Sequence, residues 1–331
     1  MSEEKILVTG AAGFIGYHVA ERLLARGSTV VGVDNLNDYY DARLKQARLE
    51  RLGHPRFSFE RLELADRAGV DSLFARHAFS RVVHLAAQAG VRYSLINPQA
   101  YVESNVTAWL NLLEALRARP ATHVVYASSS SVYGANRKQP FSVDDRVDSP
   151  VSLYAATKRA DELMGYVYSR TFGLTLTGLR FFTVYGPWGR PDMAAMKFAR
   201  AIVADEPIDV YNHGDMQRDF TYIDDIVTGV LAVLDRPPAP DGDGVPHRVY
   251  NIGNHHPEPL MRFIEVLAGA LGRTPRMNML PMQPGDVPAT YADVASLKRD
   301  YGWQPTTTIE EGLPRFVAWF REHGGRWRRS D

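Results

Sequence analysis

The sequence predicts a doubly wound α/β fold, a parallel sheet with helices on both faces, followed by a smaller C-terminal α/β lobe. Three observations carry this. Short apolar, β-branched runs alternate with amphipathic stretches through the first half of the chain; a glycine-rich turn, Gly10-Ala11-Ala12-Gly13-Phe14-Ile15-Gly16, joins the first run to the first amphipathic stretch; and an acid, Asp34, closes the second run. Strands linked through helices need right-handed crossovers, and so a parallel sheet covered on both sides.

Residues 5–9, 29–33, 57–62, 81–85, 123–127 and 174–180 read as buried strands, because each is a short apolar run bounded by turn residues. Between them, apolar residues recur at helical spacing over 14–26, 40–51, 67–78, 100–117 and 153–171. After about Gly186 the alternation fades. Helices are then predicted at 193–204, 223–234, 260–271, 294–301 and 309–323, with a turn-rich loop at 236–246 built around Pro237-Pro238-Ala239-Pro240-Asp241-Gly242. The domain organisation that follows is a cofactor-binding unit over 1–185, to which about 222–255 returns, and a ligand-binding lobe made mainly from 186–331. That lobe should cover the C-terminal edge of the sheet, where open α/β sheets bind ligands.

The chain has 331 residues, with 38 Lys+Arg against 38 Asp+Glu, so it has no field for a long polyanion and nucleic-acid binding is not expected. There is no cysteine, which excludes disulfides, thiolate nucleophiles and cysteine-held zinc. Met-Ser-Glu-Glu-Lys runs straight into Ile-Leu-Val-Thr-Gly without a basic segment and apolar stretch of secretory type, and no apolar run reaches the ~20 residues of a membrane helix. The expectation is a cytoplasmic protein with no membrane partner. His84, His123, His255 and His256 lack metal-ligand spacing, so no metal site is expected.

In the glycine turn, Gly10, Gly13 and Gly16 lack side chains where a backbone must approach a pyrophosphate at a helix N-terminus, with Phe14 and Ile15 in the same turn. A tight strand-to-helix turn alone accounts for one glycine but hardly for three. Asp34, followed by Asn35, stands where a carboxylate accepts from both adenosine ribose hydroxyls and repels a 2′-phosphate, which favours NAD over NADP; a turn residue is the alternative. Glu63 and Leu64, after the third strand, are placed to border the adenine.

Tyr154 and Lys158 lie one helical turn apart, on one face of the 153–171 helix. A phenol of ordinary pKa about 10 is a poor base near neutrality, and an adjacent ammonium favours its phenolate. Such a pair suits removal of a proton from an alcohol. Taken alone, the pair also fits an amphipathic helix with a packed tyrosine and a solvated lysine.

With Gly10-x-x-Gly13-x-x-Gly16, His84-Leu85-Ala86-Ala87, Asn105 and Ser129 added, the chain resembles the extended short-chain dehydrogenase/reductases, whose cofactor domain is Rossmann-type. The stretches Val91-Arg92-Tyr93-Ser94, Ser131-Val132-Tyr133-Gly134, Tyr185-Gly186-Pro187-Trp188-Gly189-Arg190-Pro191-Asp192-Met193 and Gly214-Asp215-Met216-Gln217-Arg218-Asp219-Phe220-Thr221-Tyr222 are similar, more narrowly, to UDP-glucuronate 4-epimerases. The resemblance runs from Lys5 to about Phe320.

It implies a catalytic triad of Ser129, Tyr154 and Lys158: Tyr154 takes the C4 hydroxyl proton as the C4 hydride passes to NAD, Ser129 binds the same oxygen, and Lys158 holds the nicotinamide ribose. Return of the hydride to the opposite face of a rotated 4-keto sugar inverts C4. Leu85, Ala86, Ala87 and Asn105 are implied cofactor contacts. Relatives that dehydrate or decarboxylate nucleotide sugars commonly carry an acid after the catalytic Ser/Thr; here Ser130 and Ser131 follow Ser129, which argues against 4,6-dehydration.

A 4-keto glucuronate is a β-keto acid, and an epimerase has to hold its carboxylate out of line with the carbonyl π system. Arg190 is the candidate clamp, with Thr183 and Ser130 assisting; a surface arginine is the alternative. By resemblance, Arg218 binds the UDP diphosphate, the stretch Ile208-Asp209-Val210-Tyr211 forms an edge against uracil, with Ile208, Val210 and Tyr211 as the named contacts, and Asp286 accepts from the uridine ribose; an ion pair with Asp219 or Asp215 is the other reading of Arg218. At Gln283 the UDP-galactose 4-epimerases carry arginine, and Glu63 stands where aspartate is frequent, so diphosphate and adenine contacts should differ there. Arg326-Trp327-Arg328-Arg329 reads as a solvated tail. Helices near 100–117 and 153–171 resemble those of the family's homodimer interface; simple packing within one subunit is the other reading.

The expected function is conversion of UDP-glucuronate to UDP-galacturonate with tightly bound NAD. Alternatives are a 4-epimerase of a neutral UDP-hexose or UDP-N-acetylhexosamine, an ordinary dehydrogenase consuming free NAD, and a non-catalytic NAD/UDP-sugar-binding protein.

Overall fold

The computed structural model describes residues 4–282 and 288–324. In chain order its elements are β1 Lys5–Thr9, α1 Phe14–Ala25, β2 Thr29–Asp34, α2 Ala42–Arg51, β3 Phe57–Arg61, α3 Arg67–Arg76, β4 Arg81–His84, α4 Pro98–Tyr101, a π-helical turn Val102–Thr107, α5 Ala108–Ala118, β5 His123–Ser129, α6 Leu153–Phe172 and β6 Leu176–Phe181. There follow β7 Thr183–Tyr185, α7 Ala194–Val203, β8 Ile208–Val210, β9 Gln217–Tyr222, α8 Ile223–Asp235, β10 His247–Ile252, β11 Pro257–Pro259, α9 Leu260–Leu271, β12 Met277–Met279, β13 Ala289–Thr290, α10 Ala295–Tyr301 and α11 Ile309–His323.

Seven strands form one sheet in the order β10-β6-β5-β4-β1-β2-β3, every pair parallel. This is the Rossmann-type arrangement: the order reverses between β1 and β4, opening a crevice at their carboxyl ends. Ile6 and Val8 enter one core cluster while Leu7 enters the other, so β1 is buried on both faces, as a central parallel strand requires.

The predicted helix over 100–117 is interrupted. Asn97 caps α4 by accepting from the Ala100 N–H, and the π turn then precedes α5. Asn105, inside that turn, is 1 % exposed and bonds Gln88 and Thr157, so a tertiary hydrogen-bonding demand overrides uninterrupted α spacing. By contrast α6 is locally well specified: Ser152 accepts from the Ala155 N–H and Gly173 closes the helix at φ +72°.

Sequence periodicity did not reveal β10, which pairs with β6, or the small sheet of β11, β9 and β13 with β7 on β9. The segments of this small sheet have only two to six residues. Gln283 and Asp286, and the 326–329 tail, lie outside the described residues. Among the described residues no helix is long and apolar enough to cross a membrane, and no group of three or more His, Asp or Glu is placed to hold a metal.

Candidate active site

The crevice opens into a cleft of about 1790 Å³ between the seven-stranded sheet and the C-terminal lobe. Single small-ligand sites span roughly 300–1,000 Å³, so this cleft has room for two ligands together.

At its floor is the glycine turn. Gly10 adopts φ +69°, a Cβ there would stand 2.8 Å from the Ala86 nitrogen, and a Cβ at Gly16 would overlap the Gly10 carbonyl. Gly13 caps α1 with no side-chain hydrogen bond, and no acid occupies the first turn, which leaves that end electropositive for an anion. Phe14 and Ile15 also line the cleft. These features fit a pyrophosphate.

Asp34 accepts from the Ala12 N–H at 3.2 Å and the Leu36 N–H at 2.8 Å, with Lys45 Nζ 3.7 Å away. Its carboxylate therefore also braces the glycine turn, a task the sequence did not disclose. Asn35 donates to Glu63 at 2.7 Å, and both line the cleft with Leu64, Leu85, Ala86 and Ala87.

β5 ends at Ser129 and α6 begins one element later, and Ser129, Ser130, Tyr154 and Lys158 all line the cleft. Ser129 Oγ accepts from the Ser131 N–H at 3.2 Å and donates to Ser131 Oγ at 3.1 Å, so the serine run fixes the hydroxyl. Ser128 instead donates to Glu162 at 2.6 Å, inside a buried network where Glu162 also pairs with Arg180. Lys158 Nζ donates to the Ala127 carbonyl and to Asp161, both at 3.0 Å. Tyr154 meets Tyr101 edge to face, 6.0 Å between ring centroids.

Thr183 and Arg190 line the same cleft. Arg190 pairs through Nε with Asp192 at 3.0 Å and through Nη2 at 2.5 Å, and Tyr39 donates to the same carboxylate at 3.2 Å. Burial opposes the Arg190 charge, but Asp192 outweighs it and raises the guanidinium pKa; the reciprocal attraction, against the carboxyl's own burial, lowers that of Asp192. Two guanidinium nitrogens face Asp192, and the edge formed by the two terminal nitrogens retains N–H groups for a second carboxylate.

Arg48, fully buried, was not singled out by sequence reasoning. It donates to the carbonyls of Ala12 at 2.8 Å and Trp188 at 2.6 and 3.1 Å, so one side chain ties the glycine turn to the Arg190 loop. Trp188 sits at φ +60°, a strained position for a bulky residue that these bonds hold in place. Nothing in the local periodicity of α2 distinguishes Arg48 from its solvated neighbours.

The cleft is also lined by Tyr211, with the Arg92 guanidinium 5.1 Å from its ring centroid, and by Arg218, which donates to the carbonyls of Gln217 and Pro288. Three expected contacts sit elsewhere. Asn105 is engaged with Gln88 and Thr157. Ile208 and Val210 point into the core, 2 % and 0 % exposed, because strand alternation puts Asp209 on the cleft side. That alternation was visible in Ile-Asp-Val and is the signal that would have singled out Asp209 within the stretch read as the uracil edge.

A glycine turn at the sheet's switch point, an acid after β2, and a Ser, Tyr and Lys gathered in the same cleft define a Rossmann-type dinucleotide-binding protein. More narrowly, the chain belongs to the NAD dependent epimerase/dehydratase family, which it matches over residues 6–253. It is 50 % identical to Protein CapI of Staphylococcus aureus over 330 residues, covering 96 % of this chain and 99 % of that one. It is 48 % identical to UDP-glucuronate 4-epimerase 1 of Arabidopsis thaliana over 331 residues, 97 % of this chain and 77 % of that protein. Among solved structures, the UDP-glucuronic acid 4-epimerase of Bacillus cereus, in complex with UDP-glucuronic acid and NAD, superposes with a TM-score of 0.88 at 33 % identity, covering 96 % of this chain and 99 % of that chain.

Proposed function

We propose that this protein is an NAD-dependent isomerase that interconverts UDP-glucuronate and UDP-galacturonate at C4. The observation that carries the reading is Arg190: a cation on the cleft wall, held by Asp192 with one edge left over, in a cleft that also contains Ser129, Tyr154 and Lys158. Near-full-length similarity to the named 4-epimerases of Arabidopsis thaliana and Bacillus cereus supports it.

In this reading Gly10, Gly13, Phe14, Ile15 and Gly16 hold the cofactor pyrophosphate at the α1 N-terminus, and Asp34 and Asn35 the adenosine ribose. Glu63, Leu64, Leu85, Ala86 and Ala87 complete the cofactor wall. The chemistry NAD supplies when bound is reversible acceptance of the C4 hydride. Tyr154 removes the C4 hydroxyl proton and later returns it, Ser129 hydrogen-bonds the same oxygen, and Lys158 keeps a positive charge beside the phenol. Arg190, helped by Thr183 and Ser130, binds the sugar carboxylate and keeps its carbon–carbon bond out of alignment with the transient C4 carbonyl, which blocks loss of carbon dioxide. Arg218 neutralises the diphosphate and Tyr211 packs on the uracil.

The corresponding division of labour assigns 1–185, together with about 222–255, to the cofactor and the rest of 186–331 to the UDP-sugar. We further infer a homodimer built on the helices near 100–117 and 153–171, since Leu110, Leu163 and Val167 are 41 %, 52 % and 54 % exposed there; light scattering of a Leu163→Glu variant should report a monomer. A cytoplasmic setting, where nucleotide sugars and NAD meet, completes the proposal.

The test is substrate comparison. UDP-glucuronate and UDP-glucose are incubated separately with the purified protein, and products are resolved by NMR. Formation of UDP-galacturonate at a much higher kcat/KM than UDP-galactose is expected. Faster turnover of the neutral sugar, or binding with no turnover of either, overturns the reading.

A further inference from the structure

Asp161 lies outside the chemistry assigned above, yet it touches the lysine at its centre. Its side chain is 3 % exposed, its Oδ2 is 3.0 Å from Lys158 Nζ, and its Oδ1 has no hydrogen-bond partner among the described residues. A buried carboxylate with one oxygen unsatisfied costs stability, so its presence calls for a role other than holding the fold together. Burial is indeed the largest influence on it: despite Lys158, its pKa rises to about 6. The sign follows. A carboxyl with a raised pKa makes the folded state less stable as pH climbs from its unfolded value toward 6, so at neutral pH the charged Asp161 works against folding.

An ammonium has three N–H donors. The Ala127 carbonyl and Asp161 take two, which leaves one for the cleft that Lys158 lines. We infer that Asp161 is a positioning residue for the reaction: it pins the Lys158 ammonium from behind, and its buried negative charge offsets that ammonium, setting how much positive charge the phenol of Tyr154 and the cofactor ring experience.

The surroundings make this charge the variable one. The charged and titratable groups that act on Asp161 are Lys158 and Glu162 on α6 and Tyr126 on β5; beyond them His84 on β4 feels the Lys158 charge, Arg180 on β6 pairs with Glu162, and His247 of β10 is bonded to Tyr126. Burial drives His84 down to about 3 and His247 to about 4, so both are neutral above pH 5. Burial pushes Tyr126 well up, and the Arg180 pairing outweighs burial to hold Glu162 below the usual carboxylate range. Between pH 5 and 8 Asp161 is therefore the member of this shell expected to change charge.

The inference rests on the proposed epimerase reading for its rate effect, and it has a second consequence independent of the sugar. Asp161→Asn keeps an acceptor for Lys158 but deletes the charge. One charge seven residues down a helix, roughly 10 Å from Tyr154, is worth about one pH unit at an effective dielectric of ~20. The acid limb of kcat/KM for UDP-glucuronate should move about one unit lower in the variant, because uncompensated positive charge favours the anionic form of the base. The same charge disfavours a cationic nicotinamide, so the ratio of NADH to NAD affinity, measured by titration without any sugar, should rise several-fold. Thermal stability at pH 7 should be kept or increased.

A variant whose acid limb and affinity ratio both match the wild type, with lower thermal stability, would make Asp161 a purely structural residue and overturn the inference. Should the variant fail to fold, the wild type decides: its NADH-to-NAD affinity ratio should step near pH 6 as Asp161 protonates, and a flat ratio from pH 5 to 8 overturns the inference equally. Absence of turnover in wild type would instead refute the epimerase reading and leave the affinity ratio to judge Asp161.

Discussion

Replacing Arg190 by alanine separates a carboxylate clamp from a surface cation. In the structure this arginine presents two nitrogens to Asp192, at 3.0 and 2.5 Å, and a bidentate edge remains. A hydrogen bond to a charged group contributes about 1.5–3 kcal/mol, so two such bonds to a substrate carboxylate give about 3–6 kcal/mol before competition from Asp192. That competition brings the expected loss to about 3 kcal/mol, or on the order of 100-fold in kcat/KM. Removing Arg190 also leaves the Asp192 carboxylate facing the cleft with its cation gone, which repels a glucuronate and not a glucose. UDP-glucuronate and UDP-glucose turnover are compared by NMR in wild type and Arg190→Ala. The former should fall about 100-fold, with decarboxylated UDP-pentose among the products, and the latter by no more than about 5-fold. Equal losses for the two sugars, with no pentose, would refute the clamp.

Tyr154→Phe should lower kcat by roughly 10²–10⁴ with unchanged thermal stability, as expected for loss of a general base. Ser131→Ala removes the hydroxyl that receives the Ser129 proton, at 3.1 Å, and should cost about 1 kcal/mol, or about 5-fold in kcat, by steady-state kinetics. Arg48→Met strips the Ala12, Trp188 and Gly189 carbonyls of their donor. Chemical denaturation should show a loss of about 3 kcal/mol, and gel filtration weaker NAD retention together with a raised KM for UDP-glucuronate. For Glu162, burial is outweighed by Arg180 and the folded pKa falls below 4.5. A depressed carboxyl stabilises above its unfolded pKa and loses that contribution as pH falls through the folded one. Acid unfolding below about pH 4.5 should therefore become less steep in Glu162→Gln, which is weaker than wild type at pH 7.

What could be read from the chain depended on how local the cause was. The first six strands and helix α6 were legible because alternation, the Ser152 cap and Gly173 act within a few residues. The glycine turn, Asp34 and the Tyr154–Lys158 spacing are equally local patterns, and the structure places all of them on one cleft. Partners distant in sequence were not: Arg48 reaches the Arg190 loop across the fold, and Asn105 is taken by Thr157 from another helix. Strand β10 joins the sheet only because β6 supplies its edge. Ile208 and Val210 were drawn toward the cleft by resemblance, whereas the two-residue period of a strand turns them inward and Asp209 outward.

In the epimerisation proposed above, the C4 hydrogen leaves the sugar and returns to it within one closed site. UDP-glucuronate carrying deuterium at C4 tests this most directly, incubated in ordinary water with the protein as purified and no added NAD. UDP-galacturonate should keep its deuterium at C4 and form more slowly than from the protiated substrate. Product with hydrogen at C4, or a ketone that accumulates only when NAD is supplied, would contradict it.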